Sequence, residues 1–318
     1  MQRRNTAVRG VIVQEGVGSG VWTRQSGGRD AVLAVSLLDS IGDALHPARS
    51  AKDRRFVPIK VNRIYVDVGG GSEHTAIVAG AYVAGQPTWR RFGVAWRDVL
   101  RDAGARVFHA TDFFQCRGEF AHITLNSPEH VELAKRFVGV ARRHTAAGFA
   151  FGLHQRAYDE LIAPELARVG TSHAHVTIEG YAILTCLMLG AQFGLPRDSG
   201  RTAAVILEDG PGMGATIELL NHIKALGEEW TTPYLSFTTM AKSQYPLQSA
   251  DLLAYEGWKK ITDVFEGAGR DTRKSLTALI EKLNVNVSYA GEDELTRFKP
   301  YLRRFLRNHP DYEKRPQM

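Results

Sequence analysis

The chain has 318 residues, of which 44% are apolar, 23% charged and 9% aromatic. That balance excludes wholesale disorder, collagen-like sequence and coiled coil, and it allows one large domain with appendages or two modest ones. The formal charge of +6 sits at the ends: residues 1–55 carry nine Lys/Arg against five Asp/Glu and residues 297–318 carry seven against two, leaving 24 basic and 27 acidic side chains between them.

A mildly acidic body with basic ends suits a polyanion held beside it, and solubilising tails explain the same distribution equally well. The longest nearly apolar run, residues 181–195, includes glycine and glutamine and is shorter than the ~20 residues that cross a bilayer, so no membrane span is expected. The start, MQRRNTAVRGVIVQEG, lacks an apolar stretch followed by a small-residue cleavage site, so export is not indicated. Cys116 and Cys186 are the only cysteines, too few for a disulfide framework or a thiolate zinc site. The expected compartment is a reducing cytoplasm.

Residues 1–58 hold seven glycines and little periodicity, and read as a poorly ordered extension with one short helix at 30–45. Regular structure is expected from Val61, where VNRIYVDV is β-branched and aromatic and breaks at Gly69-Gly70-Gly71. Residues 74–84 read as the second strand of a hairpin, 89–103 as a helix and 107–108 as a short strand. Ser127-Pro128-Glu129 has the form of a cap, a first-turn proline and an N-terminal acid, opening a helix that stops near Gly148. A strand at 149–153, a helix at 157–169 and a longer, mostly apolar helix at 176–193 follow. Next come a buried strand at 201–208, a helix to about 226, a strand at 234–240 and a helix from about 247 to 261. This succession belongs to a mixed α/β sheet domain. Helices at 272–283 and 292–308 close the chain, the last kinked or divided at Pro300.

Several chemistries lack their spacing: there is no G-x-x-x-x-G-K-[ST] phosphate loop, no H-E-x-x-H helix and no G-x-S-x-G elbow. Gly210-Pro211-Gly212-Met213-Gly214 reads as a tight turn. Three carboxylate positions stand out. Asp67 ends an otherwise apolar strand, where a bare charge is costly to desolvate. Glu208-Asp209 follows a buried strand, and strand ends are where open α/β sheets place ligands. Asp251 interrupts Ala250-Asp251-Leu252-Leu253-Ala254 on a packed helix face. Each alone serves equally as a cap or salt-bridge member; together they suit a hard divalent cation, Mg²⁺ or Mn²⁺, which prefers oxygen ligands. His109 is a candidate to orient water or contact phosphate, or a hydrogen-bonded turn histidine. His173, His175 and Glu179 have metal-like helical spacing, with helix capping as the plainer role. Tyr255, Glu256 and Trp258 are candidates to line the pocket.

The runs IYVDVGGG at 64–71, FHATDF at 108–113, VILEDG at 205–210 and LQSADLLAYEGWK at 247–259 together resemble the domain-of-unknown-function family numbered 3800, over about residues 61–261. The resemblance implies a ribonuclease H-like mixed β-sheet flanked by α-helices and leaves both ends uncovered; the chain is read as this domain at 59–290 followed by a basic helix and tail at 291–318. The resemblance also implies that Asp67 matches the acid ending the first strand, Glu208 or Asp209 the acid ending the fourth, and Asp251 the acid of the late helix. The family commonly reads Asp-Glu-Ser-Gly at the first strand, whereas this chain has Asp67-Val68-Gly69-Gly70, so one ligand-type carboxylate is missing. Glu73 or His74 fills the gap, the site binds metal weakly, or catalysis is lost.

The expected function is a Mg²⁺- or Mn²⁺-dependent phosphodiesterase or nuclease, with Asp67, Glu208 and Asp251 as metal ligands, Asp209 as the substitute for Glu208 and His109 as an orienting group. In that scheme one ion activates water and a second stabilises the leaving oxygen. Arg303, Arg304 and Arg307 are expected to meet backbone phosphate. The rival is a catalytically inactive binding or assembly protein on the same sheet. DNA and RNA stay equally open as partners, as does oligomeric state.

Overall fold

The computed structural model describes residues 61–71, 74–168, 177–193, 202–282 and 284–308; the extension expected at 1–58, with its helix at 30–45, lies outside them. Runs rich in β-branched and aromatic residues form β1 (Val61–Gly69) and β2 (Ala76–Gly85), and the buried Phe-, Ala- and Gly-containing run Ala147–His154 forms β3. These make an antiparallel meander in which Asp67 pairs with Gly80 and Ala81 with Phe149. On the other side of β1 lie β4 (Thr202–Glu208) and then β5 (Tyr234–Met240), both running parallel to it, and β6 (Asn284–Ala290) runs parallel to β3 at the opposite edge. The strand order is β5-β4-β1-β2-β3-β6, a mixed sheet of the α/β class.

The helices are α1 (Gln86–Asp102), α2 (Ala110–Gln115), α3 (Pro128–His144), α4 (Gln155–Leu161), α5 (Ala163–Arg168), α6 (Ile178–Phe193), α7 (Met213–Ala225), α8 (Tyr245–Phe265), α9 (Lys274–Lys282) and α10 (Glu292–Asn308). As its sequence indicates, α3 is capped by Ser127, whose hydroxyl accepts from the His130 N–H at 3.1 Å. Strand alternation sorts the side chains of the sheet onto two faces. Ile64, Val66, Ile77, Ala79 and Val205 join residues of α6, α7 and α10 in one core, while Tyr65, Val78, Tyr82 and Ile206 join α1, α3, α8 and α9 in the other. The apolar α6 is buried through Ala182, Ile183, Cys186 and Leu187. No helix among the described residues is long and apolar enough to cross a membrane.

Three expectations are corrected and one strand is added. Residues 107–108 form no strand; the Phe108 N–H is taken by the Gln248 side chain at 3.0 Å instead of a neighbouring strand. The helix expected at 157–169 is two short helices, α4 and α5, interrupted just before Pro164, which has no N–H to continue the first. The alternating Asn-Val-Asn-Val-Ser-Tyr run is β6, which the sequence reading passed over between two helices. Helix α10 runs through Pro300 as one helix, and its Leu295 and Leu302 are buried in the core shared with α6.

The feature that positions the site is the approach of α8 to the sheet. Its Ala250 and Ala254 lie against Gly80, where an added Cβ would stand 2.5 Å from the Ala254 nitrogen and 2.9 Å from the Ala250 oxygen. Both obstacles are helix backbone, which cannot yield without moving α8. Gly80→Val is therefore expected to cost about 3 kcal/mol, the upper range for overpacking, visible as a large drop in Tm. Gly214→Ala, with nothing within 4 Å of its Cβ position, should leave Tm unchanged or slightly higher. Equal Tm in both variants would show that helix and sheet are not held in contact at this point.

Candidate functional site

Because β1, β4 and β5 are parallel neighbours, their carboxyl ends lie along one edge of the sheet. Val66 pairs with Leu207 and Glu208 with Met240, so Asp67 and Glu208 come side by side and Lys242 follows two residues beyond the end of β5. From the other direction α8 delivers Asp251. The Lys242 ammonium donates to Asp67 Oδ2 and, at 2.7 Å, to Glu208 Oε2, and it lies 3.3 Å from Asp251 Oδ2. Three carboxylates from separate segments thus close on a single cationic point. Asp251 Oδ2 also accepts from the Ala110 N–H at 2.8 Å, and Asp67 Oδ1 from the Val68 N–H at 2.8 Å. Asp67 and Asp251 are only 4% and 5% exposed, so backbone donors and the ammonium replace the water they lose.

Strand alternation chooses between Glu208 and Asp209. Glu208 shares the face of Ile206, which packs toward α8, whereas Leu207 belongs to the opposite core. Asp209 is exposed, with its N–H donating to the Met240 carbonyl at 2.9 Å; it is not part of the cluster. The same rule bears on the departure at the first strand. Val68 packs into the core opposite the side on which Asp67 meets Lys242, so a carboxylate at position 68 would leave that strand on the far face. At Gly69 a Cβ would stand 3.0 Å from the Ala254 carbonyl, tighter than a side chain comfortably accepts. His74 does not fill the gap: its ring packs on Trp258 at 4.6 Å. Glu73 lies outside the described residues.

The electrostatics of the cluster follow from its burial. Desolvation, helped by the neighbouring Asp251 charge, raises the Asp67 carboxyl well above the ordinary carboxylate range despite Lys242. Desolvation acts on Glu208 too, but the hydrogen bond shared with Asp67 and the Lys242 charge outweigh it and hold Glu208 below its ordinary value, with His109 contributing in the same sense. Of the two, Asp67 is the one that holds a proton more readily. Burial works against the charge on Lys242, yet Asp251, Asp67 and Glu208 together raise it above the usual lysine range.

Sequence reasoning missed Lys242 and Gln248. The buried Gln248 accepts from the Trp96 indole at 2.9 Å and the Phe108 N–H at 3.0 Å, and its amide donates to the Lys242 carbonyl at 3.0 Å. It ties the lysine segment to α8 and to the loop before α2. The only sequence signal for Lys242 was its place just past a predicted strand, and that carries meaning only once β5 is known to border β4.

The remaining candidates fall elsewhere. His109 occupies the position before α2 without a side-chain capping hydrogen bond, at the exposed rim beside Glu208. Tyr255 and Trp258 are largely core, and the fully buried Glu256 accepts from the Ser275 hydroxyl at 2.8 Å and faces Arg273 at 3.6 Å, apart from the acid cluster. Desolvation raises the Glu256 carboxyl. Arg303, expected on phosphate, makes a two-pronged contact with Glu165 at 2.7 and 2.6 Å. Gly212, at φ 78°, makes the left-handed turn into α7. His173, His175 and the side chains of Arg304 and Arg307 lie outside the described residues. No family model, curated protein or solved structure matches the chain.

As placed, no group of three or more His, Cys, Asp or Glu among the described residues is arranged to hold a metal ion; the acids are gathered on an ammonium. The donor chemistry nevertheless fits a hard cation, since three carboxylates surround a position already holding positive charge.

Two outcomes follow. The raised Asp67 carboxyl binds its proton more tightly folded than unfolded, so its contribution to stability is present below about pH 4 and is lost as pH rises through the raised value. In chelator-treated protein, Asp67→Asn should therefore gain stability relative to wild type as pH increases from about 4 to 8, measured by denaturant unfolding; a difference independent of pH would contradict the buried, proton-holding carboxyl. Gln248→Leu strands three polar groups at about 1–3 kcal/mol each and should lower stability by several kcal/mol in urea titrations. A near-neutral effect would mean that those groups find other partners.

Proposed function

We propose that the chain is a Mg²⁺- or Mn²⁺-dependent phosphodiesterase, a nuclease of the ribonuclease H-like kind and a relative of the domain-of-unknown-function family 3800. The observation that carries this reading is the meeting of Asp67, Glu208 and Asp251 at one cationic point beyond the carboxyl ends of parallel strands. The motif resemblance assigns Asp67, Asp251 and either Glu208 or Asp209. The sheet supports it as well: the fourth strand borders the first, which is what brings the acids of the two strands together, and the helix carrying Asp251 covers that face.

Asp67, Glu208 and Asp251 would hold the ion, which when bound lowers the pKa of water and stabilises a leaving oxygen. The chain's own groups prepare that arrangement. The Ala110 N–H fixes Asp251, the Val68 N–H fixes Asp67, and the hydrogen bond shared with Asp67 together with the Lys242 charge favours the anionic form of Glu208. His109, exposed at the rim, would orient water or meet a phosphate oxygen. Exposed backbone phosphate is the substrate chemistry that needs no deep pocket, because the acids lie at the edge of the sheet and Glu208 keeps 29% of its side chain exposed.

One observation favours a second reading, an inactive binding or assembly protein: the Lys242 ammonium already satisfies the acids without any ion. A cleavage assay on pooled DNA and RNA with Mg²⁺ or Mn²⁺ separates the two. Wild type and Asp209→Asn should cleave, while Asp67→Asn and Asp251→Asn should lose at least about a hundredfold, the scale expected when a charge-stabilising group is removed. Equal cleavage by all four proteins would eliminate the site, and no cleavage by any would favour the second reading.

A further inference from the structure

We infer that Lys242 and a divalent ion compete for one position, so that the lysine is a built-in occupant which the ion must displace. The inference rests on reading the acid cluster as a divalent-ion site. Three observations lead to it. First, the ammonium stands where the three carboxylates converge, 2.7 Å from Glu208 and 3.3 Å from Asp251 and in hydrogen-bond contact with Asp67. An ion taking these oxygens at about 2.0–2.1 Å would need the same space, and two cations cannot share it without strong repulsion.

Second, the lysine is held at both ends in different ways. Its backbone carbonyl is fixed by the buried Gln248 amide at 3.0 Å, whereas among the described residues its ammonium is held by the three acids alone. The four-carbon stem can therefore swing without disturbing β5 or α8. Third, a route out exists. Ala241, Ser243 and Gln244 are exposed and the Lys242 side chain itself is 16% exposed, so the displaced ammonium reaches water within its own length. The consequence is a site whose negative charge is partly offset at rest by one ammonium. Its acids stay together without an ion, and its ion affinity is set by a residue that is not a ligand.

The test measures Mn²⁺ binding without substrate, by titration calorimetry and by the shift in Tm, on wild type, Lys242→Met and Lys242→Arg. Lys242→Met should bind Mn²⁺ at least tenfold tighter than wild type and show the larger Tm increase, while Lys242→Arg, which keeps the charge, should bind no better than wild type. A second measurement needs no variant. Acetylation of wild-type lysines followed by mass spectrometry should show Lys242 modified several-fold faster in Mn²⁺, with Lys135, 69% exposed, unchanged as the reference. Uptake of Mn²⁺ by wild type with no change in Lys242 acetylation, or equal or weaker binding by Lys242→Met, would overturn the competition and leave the metal-site reading standing. Absence of Mn²⁺ uptake by every protein would overturn both.

Discussion

The structure depends on how closely α8 lies on the sheet. Asp67 pairs with Gly80 across β1 and β2, and it is at Gly80 that the helix backbone comes within the space of a missing methyl group. Ala250 and Ala254 supply the matching small side on the helix, with Gly257 one turn on lying close to Val78 and Ala150. Larger residues along this seam would hold α8 away from the sheet, and Asp251 would no longer reach the point where Asp67 and Glu208 meet. The seam is also where the helix gains its stability, because Leu252, Leu253 and Ile261 are buried beside it at about 1.5–3 kcal/mol for each large apolar side chain. Packing and site geometry are one constraint here.

Close packing creates the electrostatic problem that the cluster then resolves. Bringing three carboxyls into a nearly dry space is unfavourable if all are ionised and unpaired. The chain meets this with one ammonium, an Asp67 carboxyl that holds its proton more readily than usual, and two backbone N–H groups. Each device is local, but they come from five places in the chain: the ends of β1, β4 and β5, the start of α2, and α8. Gln248 binds two of these places together from beneath, through the Lys242 carbonyl and the Phe108 N–H. A buried amide with its carbonyl and one amide hydrogen engaged is a rigid joint, so the lysine backbone is fixed even though its head group is not.

Much of the sheet was legible in advance. The run from Val61 and the β-branched run before Glu208 carry β-branched or continuous apolar patterns that few other structures fit, and the cap at Ser127 announced α3. What failed was marked by context. Phe108 looked like strand because it is apolar, but its N–H is claimed by a side chain 140 residues away. The β6 run alternates properly, yet its polar positions and its place between two helices hid it. Arg303 looked like a free basic residue in a basic tail, and only packing of α10 against the body shows it spent on Glu165.

For the site, the sequence by itself determined which carboxylates were out of place: an acid ending an apolar strand, an acid pair after another, and an acid inside an apolar helix are each anomalous on local grounds, because burying charge is costly wherever it occurs. Only the tertiary structure decided that Glu208 rather than Asp209 joins them, that position 68 faces away, and that Lys242 stands among them. Those outcomes depend on which strands are neighbours and in what register. Register is a property of pairing between distant segments, and a shift of one residue would send every side chain to the other face.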